Sequence, residues 1–121
     1  MKILIVDDSK LLQMRILKLI NGIDKDMEII QAFNCMEASK LFSSNGPDAV
    51  VLDIQLPDGS GIDLLLKFKK ENPAVNVIMF TNYPTLEFRK SCMDLGARDF
   101  IDKSDLTSLL KALELLKSHI N

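Results

Sequence analysis

Five short runs rich in apolar and β-branched residues alternate with longer segments of helical periodicity. The runs are KILIV, MEIIQAF, AVVLDI, VNVIMFT and DFID, at residues 2–6, 27–33, 49–54, 75–81 and 99–102. Stretches such as VVL and VIMF are apolar at consecutive positions, which is typical of strands covered on both faces. Strands joined by right-handed helical crossovers form a parallel sheet with helices on each side. The sequence therefore predicts an α/β fold of five strand–helix repeats.

A residue that can cap a helix precedes each helical segment. The candidate caps are Asp8 or Ser9, Asn34, Ser60, Thr85, and Ser104 or Asp105. In the first helix one apolar stripe is formed by Leu12, Ile16, Leu19 and Ile20. With 121 residues and no linker or repeat beyond the alternation, the chain is expected to form one domain over residues 1–121.

The overall composition argues against several classes of function. The residues are 47% hydrophobic and 26% charged with a formal net charge of −2, so there is no basic field for nucleic acid or an anionic membrane. No stretch reaches the ~18 apolar residues of a membrane span, and acids interrupt MKILIVDDS where a signal peptide would stay apolar. We therefore expect a cytoplasmic protein that binds neither nucleic acid nor membrane. Cys35, Cys92 and His119 lack metal-ligand spacing, so neither a zinc site nor a disulfide is expected.

Polar side chains stand at the ends of four predicted strands. Asp7 and Asp8 follow the first strand, Asp53 lies at the end of the third, Thr81 closes the fourth and Lys103 follows the fifth. Ligands of open parallel sheets bind beyond the carboxyl ends of the strands. These five residues are therefore expected to meet in space.

Their chemistry is complementary. Three carboxylates brought together repel one another, and one would protonate unless a cation compensates them. Mg²⁺ binds one or two carboxylates together with waters and phosphate oxygens, so the acids predict a Mg²⁺ site that also accepts a phosphoryl group. Lys103 can neutralise a phosphoryl oxygen, and Thr81 can donate a hydrogen bond to one.

Other chemistries at the sheet edge fit less well. A nucleotide phosphate needs a turn of free N–H groups after the first strand, whereas the turn here is VDDSK, which repels anions. The motifs GxxxxGK[ST], GxGxxG and GxSxG do not occur. A general acid–base pair of Asp7 and Asp8 stays an alternative, although nothing else in the chain supplies it with a substrate pocket or a histidine.

Four motifs occur in a fixed order along the chain. They are VDD after the first strand, LDIQLPDGSG with Pro57 four and Gly61 eight residues after Asp53, Thr81 at the end of the fourth strand, and GARDFIDK at residues 96–103. In this order and spacing the chain resembles the receiver domains of two-component response regulators, in particular the single-domain chemotaxis regulators. The resemblance covers essentially the whole chain. It implies a flavodoxin-like, doubly wound parallel sheet of five strands in the order 2-1-3-4-5.

The resemblance implies a role for each acid at the sheet edge. Asp53 would be the phosphoacceptor, taking a phosphoryl group from a histidine of a sensor kinase or phosphotransfer protein. One Mg²⁺ would be held by Asp8, Asp53 and the backbone carbonyl of Gln55, with Asp7 acting largely through water. The chain would then be no enzyme, except that it catalyses its own aspartyl phosphorylation and dephosphorylation.

The resemblance also implies a conformational switch. Thr81 and Lys103 would contact the phosphoryl oxygens. Phe100 would follow Thr81 inward, which alters the surface of the fourth helix, fifth strand and fifth helix. Gln55 and Tyr83 would flank the path of the hydrolytic water and so set the lifetime of the phosphoryl group.

Three positions depart from the family pattern. Asn82, Phe100 and Ser104 stand where Ala, Tyr and Pro are frequent. Phe100 lacks a hydroxyl, so it can pack inward but cannot hydrogen-bond to a partner. A cis peptide between Lys103 and Ser104 would cost about 3 kcal/mol without a proline, and the sequence leaves the isomer of this bond open.

Apolar residues outside the predicted core are candidates for docking. Leu11 and Met14 lie off the core stripe of the first helix, near the end closest to the predicted site. With Lys10 and Arg15 they are either scattered surface residues or a kinase-docking patch, which the resemblance favours. Leu115 points away from the core stripe of the last helix and is a candidate partner or dimer contact.

Three functions remain open. The first is a phosphorylation-controlled receiver that acts by contact with an unknown downstream protein, as a monomer or a weak phosphorylation-dependent dimer. The second is an interaction module that works without phosphorylation, against which the complete set of acids, Thr81 and Lys103 argues. The third is a receiver fragment of a longer regulator whose output domain binds DNA.

Overall fold

The computed structural model describes residues 1–120. Its helices are Lys10–Ile23 (α1), Cys35–Asn45 (α2), Gly61–Glu71 (α3), Leu86–Asp94 (α4) and Leu106–Ile120 (α5). Its strands are Lys2–Val6 (β1), Glu28–Ala32 (β2), Ala49–Leu52 (β3), Gln55–Leu56 (β4), Gly59–Ser60 (β5), Asn76–Thr81 (β6) and Asp99–Asp102 (β7). All five predicted strands are present. The short antiparallel hairpin of β4 and β5 was not predicted.

The five longer strands form one parallel sheet in the order β2-β1-β3-β6-β7. Counted without the hairpin, this is the order 2-1-3-4-5, so the predicted flavodoxin-like fold is confirmed. The register pairs Val6 with Leu52 and Thr81 with Asp102. Neighbouring strands therefore finish close together, and the loops after β1, β3, β6 and β7 share one edge of the sheet.

The sheet separates two apolar cores, because successive residues of a strand point to opposite faces. In β3, Val50 and Leu52 belong to the core that includes residues of α2 and α3. Ala49 and Val51 belong to the core that includes residues of α1 and α5. Burial on both faces explains why the strands read as continuous apolar runs.

The helices begin at the predicted caps. The side chains of four residues accept a hydrogen bond from the first turn of the helix that they precede: Ser9, Asn34, Ser60 and Thr85. At α5 the Asp105 carboxylate accepts the Ser108 N–H at 3.1 Å, so Asp105 is the cap there. Each bond satisfies a backbone donor that the helix itself leaves free.

The buried face of α1 differs from the predicted stripe. Ile16 and Ile20 are buried as expected, but the prediction for Leu19 is wrong, since this side chain is 39% exposed. Gln13 is fully buried instead. Residues 13, 16 and 20 lie on one face of a helix of 3.6 residues per turn. Because residue 13 is an amide, a search for apolar residues alone could not identify this face as the buried one.

The isomer of one peptide bond and the absence of a membrane span can both be compared with the structure. Every peptide bond in residues 1–120 is trans, which settles the isomer of Lys103–Ser104. None of the helices in this part of the chain has the length and apolar character needed to cross a membrane.

Gly61, the first residue of α3, lies against the backbone of Asp53. A Cβ atom there would be 1.8 Å from the Asp53 carbonyl oxygen. We expect Gly61→Ala to lower the free energy of unfolding in urea by about 1–3 kcal/mol, because the backbone must shift to admit the methyl group. Gly22→Ala is the matched control, since in α1 the added Cβ meets nothing within 4 Å and should raise stability by about 0.5–1 kcal/mol. Equal effects of the two substitutions would contradict this close approach.

Candidate functional site

The predicted site residues converge at the carboxyl edge of the sheet. Asp7 and Asp8 directly follow β1, Asp53 directly follows β3, Thr81 is the last residue of β6, and Lys103 directly follows β7. The Asp53 N–H donates to the Val6 carbonyl at 3.1 Å. This bond continues the ladder between β1 and β3 by one residue and fixes the acids of the two strands side by side.

The three acids form one cluster with an open side. One carboxylate oxygen from each of Asp7, Asp8 and Asp53 lies within 4.8 Å of the others. Asp7 and Asp53 are only 3% and 6% exposed, whereas Asp8 faces solvent. The cluster thus has two acids in its floor and one at its rim.

Lys103 links the two buried acids. Its ammonium Nζ lies 2.7 Å from Asp7 Oδ2 and 2.8 Å from Asp53 Oδ2, and its side chain is nine-tenths buried. The backbone N–H of Lys103 donates to the Thr81 carbonyl at 2.9 Å, which holds the residue at the strand end. One cation therefore compensates two carboxylates contributed by different strands.

The environment of the cluster raises the pKa values of both Asp53 and Lys103. Burial raises the pKa of Asp53, the neighbouring charge of Asp7 raises it further, and the hydrogen bond and charge of Lys103 only partly oppose them. Burial alone would lower the pKa of Lys103, but its hydrogen bonds and charge interactions with Asp53 and Asp7 together raise it above the ordinary value. Lys103 is therefore firmly charged, while ionised Asp53 lacks full compensation.

Thr81 and Phe100 are both buried. The Thr81 side chain is fully enclosed, and its Oγ1 accepts the Tyr83 N–H at 2.9 Å. Phe100 is 7% exposed and belongs to the core that α2 and α3 share. Its carbonyl accepts a hydrogen bond of 3.3 Å from Arg89 Nη1 on α4. Phe100 is therefore part of the apolar core, and its movement toward the space left by Thr81 stays a prediction.

An open groove of about 340 Å³ lies over the acid cluster. It is lined by Asp8, Asp53, Gln55, Leu56, Pro57, Asn82, Tyr83 and Lys103. Gln55 and Tyr83 are both exposed. The two residues predicted to flank the path of water therefore line the same groove as Asp53.

The predicted docking residues lie outside this groove. Leu11, Met14 and Arg15 are exposed on α1, and Leu115 is exposed on α5. Their exposure leaves them available for contacts, and their role stays a prediction. Sequence reasoning missed Leu86, the first residue of α4, whose side chain is also strongly exposed.

Asp58 is a further polar residue that sequence reasoning missed. Its carboxylate accepts the N–H groups of Cys35 at 2.7 Å and Met36 at 3.0 Å, so it ties the turn between β4 and β5 to the first turn of α2. The Cys35 N–H bond is the main reason that the pKa of Asp58 is lowered. The sequence LPDG predicts a polar turn at Asp58. It does not predict the contact with Cys35, which lies 23 residues earlier in the chain.

The acid cluster fits a hard divalent cation. Mg²⁺ prefers carboxylate and carbonyl oxygens and keeps several waters. Asp7, Asp8 and Asp53 supply only oxygen donors, and the exposed side of the cluster opens on the groove. The donor set therefore suits Mg²⁺ and offers none of the nitrogen or sulfur ligands that favour zinc.

Comparison with known proteins points to one family. A family model described as the response regulator receiver domain matches residues 3–114. The chain is 33% identical over 116 residues to the chemotaxis protein CheY of Listeria monocytogenes, a match that spans 94% of this chain and 96% of that protein. It is 32% identical over 104 residues to a protein-glutamate methylesterase/protein-glutamine glutaminase of Treponema denticola, of which the match spans 28%.

Solved structures agree with the sequence relatives. A two-component response regulator from Clostridium difficile superposes with a TM-score of 0.90 at 26% identity, covering 99% of this chain and 98% of that one. The chain belongs to the response regulator receiver domain family. It is a receiver domain of two-component signalling rather than a conventional enzyme.

The incomplete compensation of Asp53 predicts a pH-dependent stability in metal-free buffer. A folded-state pKa above the unfolded value contributes stability that is present at low pH and lost as the pH rises through the folded pKa. At pH 7 and with EDTA, Asp53→Asn should therefore raise the free energy of unfolding by on the order of 1 kcal/mol. This gain should shrink as the pH falls below the Asp53 pKa.

The measurement is urea denaturation from pH 4 to pH 8. Asp26→Asn is the control, because Asp26 is an exposed acid in the turn after α1. A variant Asp53→Asn that is less stable than the wild type at pH 7 would show that the buried acids stabilise the fold.

Proposed function

We propose that this chain is a phosphorylation-controlled receiver in which Asp53 accepts a phosphoryl group from a histidine of a sensor kinase or phosphotransfer protein. The observation that carries the proposal is the setting of Asp53 at the floor of an open groove, with Lys103 Nζ at 2.8 Å and two further acids beside it. A general acid–base enzyme would need a substrate pocket with further polar groups. The groove is instead shallow enough to admit a phosphohistidine presented by another protein.

The transfer needs little covalent chemistry from the domain. A carboxylate oxygen of Asp53 attacks the phosphorus in line with the bond from phosphorus to the histidine nitrogen. That bond breaks, its electron pair returns to the imidazole, which takes up a proton, and an acyl phosphate remains on Asp53. Hydrolysis by water later releases inorganic phosphate and restores the carboxylate.

Positive charge around the transferred group comes from two sources. Asp7, Asp8, Asp53 and the Gln55 carbonyl would hold Mg²⁺, which supplies charge to the phosphoryl oxygens. Lys103 supplies the second charge by turning its ammonium from Asp53 to a phosphoryl oxygen, while Asp7 keeps it near the site. Lys103 Nζ lies 2.7 Å from Asp7 Oδ2 and 2.8 Å from Asp53 Oδ2, so it would keep one charge-assisted hydrogen bond while it exchanges the other.

The signal would leave the site through Thr81 and α4. A phosphoryl oxygen would draw the Thr81 hydroxyl toward Asp53 and break its bond with the Tyr83 N–H. Among the nine described residues of α4, Cys92 alone is buried. A helix with so little buried surface moves at low cost, so the face formed by α4, β7 and α5 is the surface that phosphorylation would change.

Two surfaces are proposed for partners. Leu11, Met14 and Arg15 lie on α1, which follows the acids of β1, and would receive the kinase or phosphotransfer protein. Leu115 lies on α5 within the proposed output face and would contact an unknown downstream protein or a second phosphorylated copy. Apolar residues exposed beside charges are typical of transient interfaces.

The phosphoacceptor can be tested by intact mass. The wild type incubated with acetyl phosphate and Mg²⁺ should gain the mass of one phosphoryl group, and Asp53→Asn should gain none. Asp63→Asn is the matched control and should react like the wild type, since Asp63 is an exposed acid in the first turn of α3. A full mass gain in Asp53→Asn would refute the assignment.

Tyr83 is proposed to lengthen the life of the acyl phosphate. Its ring can lie across the groove and exclude water from in-line attack. Tyr83→Ala should shorten the lifetime by about 10-fold, which corresponds to about 1.4 kcal/mol of barrier, whereas Tyr83→Phe should retain it. Phosphate release at fixed Mg²⁺ after removal of the donor measures the lifetime. A lifetime unchanged in Tyr83→Ala would remove this side chain, but not Asp53, from the mechanism.

A further inference from the structure

Gln13 is a fully buried polar side chain that the proposed chemistry does not use. It lies on α1, and its Nε2 approaches three carbonyl oxygens, those of Asp7 at 3.0 Å, Ala32 at 2.8 Å and Ile5 at 3.3 Å. These carbonyls belong to the ends of β1 and β2. One amide group therefore joins α1 to the backbone from which the acid cluster projects.

Packing alone does not explain an amide at this position. Gln13 shares its face of α1 with Ile16 and Ile20, which are both buried in the apolar core. No group in residues 1–120 donates a hydrogen bond to its Oε1, and an unpaired buried acceptor is unfavourable. An apolar side chain of the same length would avoid this cost, so the contribution of Gln13 lies in its Nε2 donor.

We propose that Gln13 is a positioning residue for the acid pair Asp7 and Asp8. The carbonyl of Asp7 belongs to the peptide group that joins the two acids. A hydrogen bond to this oxygen fixes the rotation of that peptide, and with it the directions in which both side chains leave the backbone.

The Ala32 carbonyl makes the arrangement rigid. It accepts the Asp7 N–H at 3.1 Å and Gln13 Nε2 at 2.8 Å. The Asp7 N–H therefore bonds to this oxygen directly, and the Asp7 carbonyl is linked to it through the Gln13 amide group. The Asp7 carboxylate is held in turn by the Ser9 N–H at 2.8 Å.

The consequence concerns the affinity for a divalent cation, and it rests on the proposed Mg²⁺ site. Acids that are already directed toward the cation lose little freedom when it binds. If the Nε2 donor is removed, the peptide between Asp7 and Asp8 gains freedom that binding must then take away. Mg²⁺ should bind more weakly although every carboxylate is still present.

The test compares Mg²⁺ affinity in full-length variants by calorimetry, at a temperature where all of them are folded. Gln13→Met keeps the length and removes the donor, and should weaken Mg²⁺ binding by about 10-fold. Gln13→Asn withdraws the amide by one methylene group and should act in the same direction. Phosphorylation by acetyl phosphate should need a correspondingly higher Mg²⁺ concentration for half-maximal rate, with the rate at saturating Mg²⁺ largely retained.

Ile20→Ala is the control for a purely structural effect. It removes buried surface from the same face of α1, about two turns away from Gln13, and should lower stability without changing Mg²⁺ affinity. Equal affinity in the wild type and both Gln13 variants, or an equal loss in Ile20→Ala, would overturn the inference. A wild type that does not bind Mg²⁺ at all would instead contradict the proposed function, and the positioning role with it.

Discussion

The site depends on a single buried ammonium. Lys103 Nζ lies within 2.8 Å of carboxylates from two other strands, and β1, β3 and β7 meet there although they are distant in sequence. Two buried acids with one cation are incompletely compensated, and such a cluster is costly unless further charge arrives. Under the proposed function, the same imbalance would favour binding of a cation and, through it, of a phosphoryl group. Stability and the proposed function would therefore oppose each other at these residues.

The fold supports this cluster with backbone bonds rather than with additional side-chain charges. The Asp7 and Asp53 N–H groups donate to carbonyls of the adjacent strands at 3.1 Å. Behind Asp53, Gly61 allows α3 to approach so closely that no side chain fits. The acids are thus held by the sheet and by the start of α3, and the loop between them is free to carry groove residues such as Gln55.

The sequence was sufficient to predict the periodic strands and helices and the polar residues at the strand ends. Apolar runs located the sheet, and the strand order placed Asp53 and Lys103 together because parallel strands share their carboxyl edge. Gln13 and Asp58 could not be found in this way, since each acts through backbone groups that only the fold brings near. Leu19 was assigned to the core because apolar residues occur on two neighbouring faces of α1. The face that is actually buried is the one that carries Gln13.

The two ends of the proposed switch, the acid cluster and α4, differ in how firmly they are held. At the acid end, Asp7 is fixed by its N–H, its carbonyl and its carboxylate. At the other end, α4 is connected to β7 by the hydrogen bond of Arg89 to the Phe100 carbonyl and has little buried surface of its own. If a phosphoryl group draws Thr81 toward the acids, as we propose, the strain would be relieved at the end with the less buried surface. Since Phe100 is buried in the apolar core, the change that we propose at this end is a shift of α4 against β7, which acts on the hydrogen bond between Arg89 and the Phe100 carbonyl.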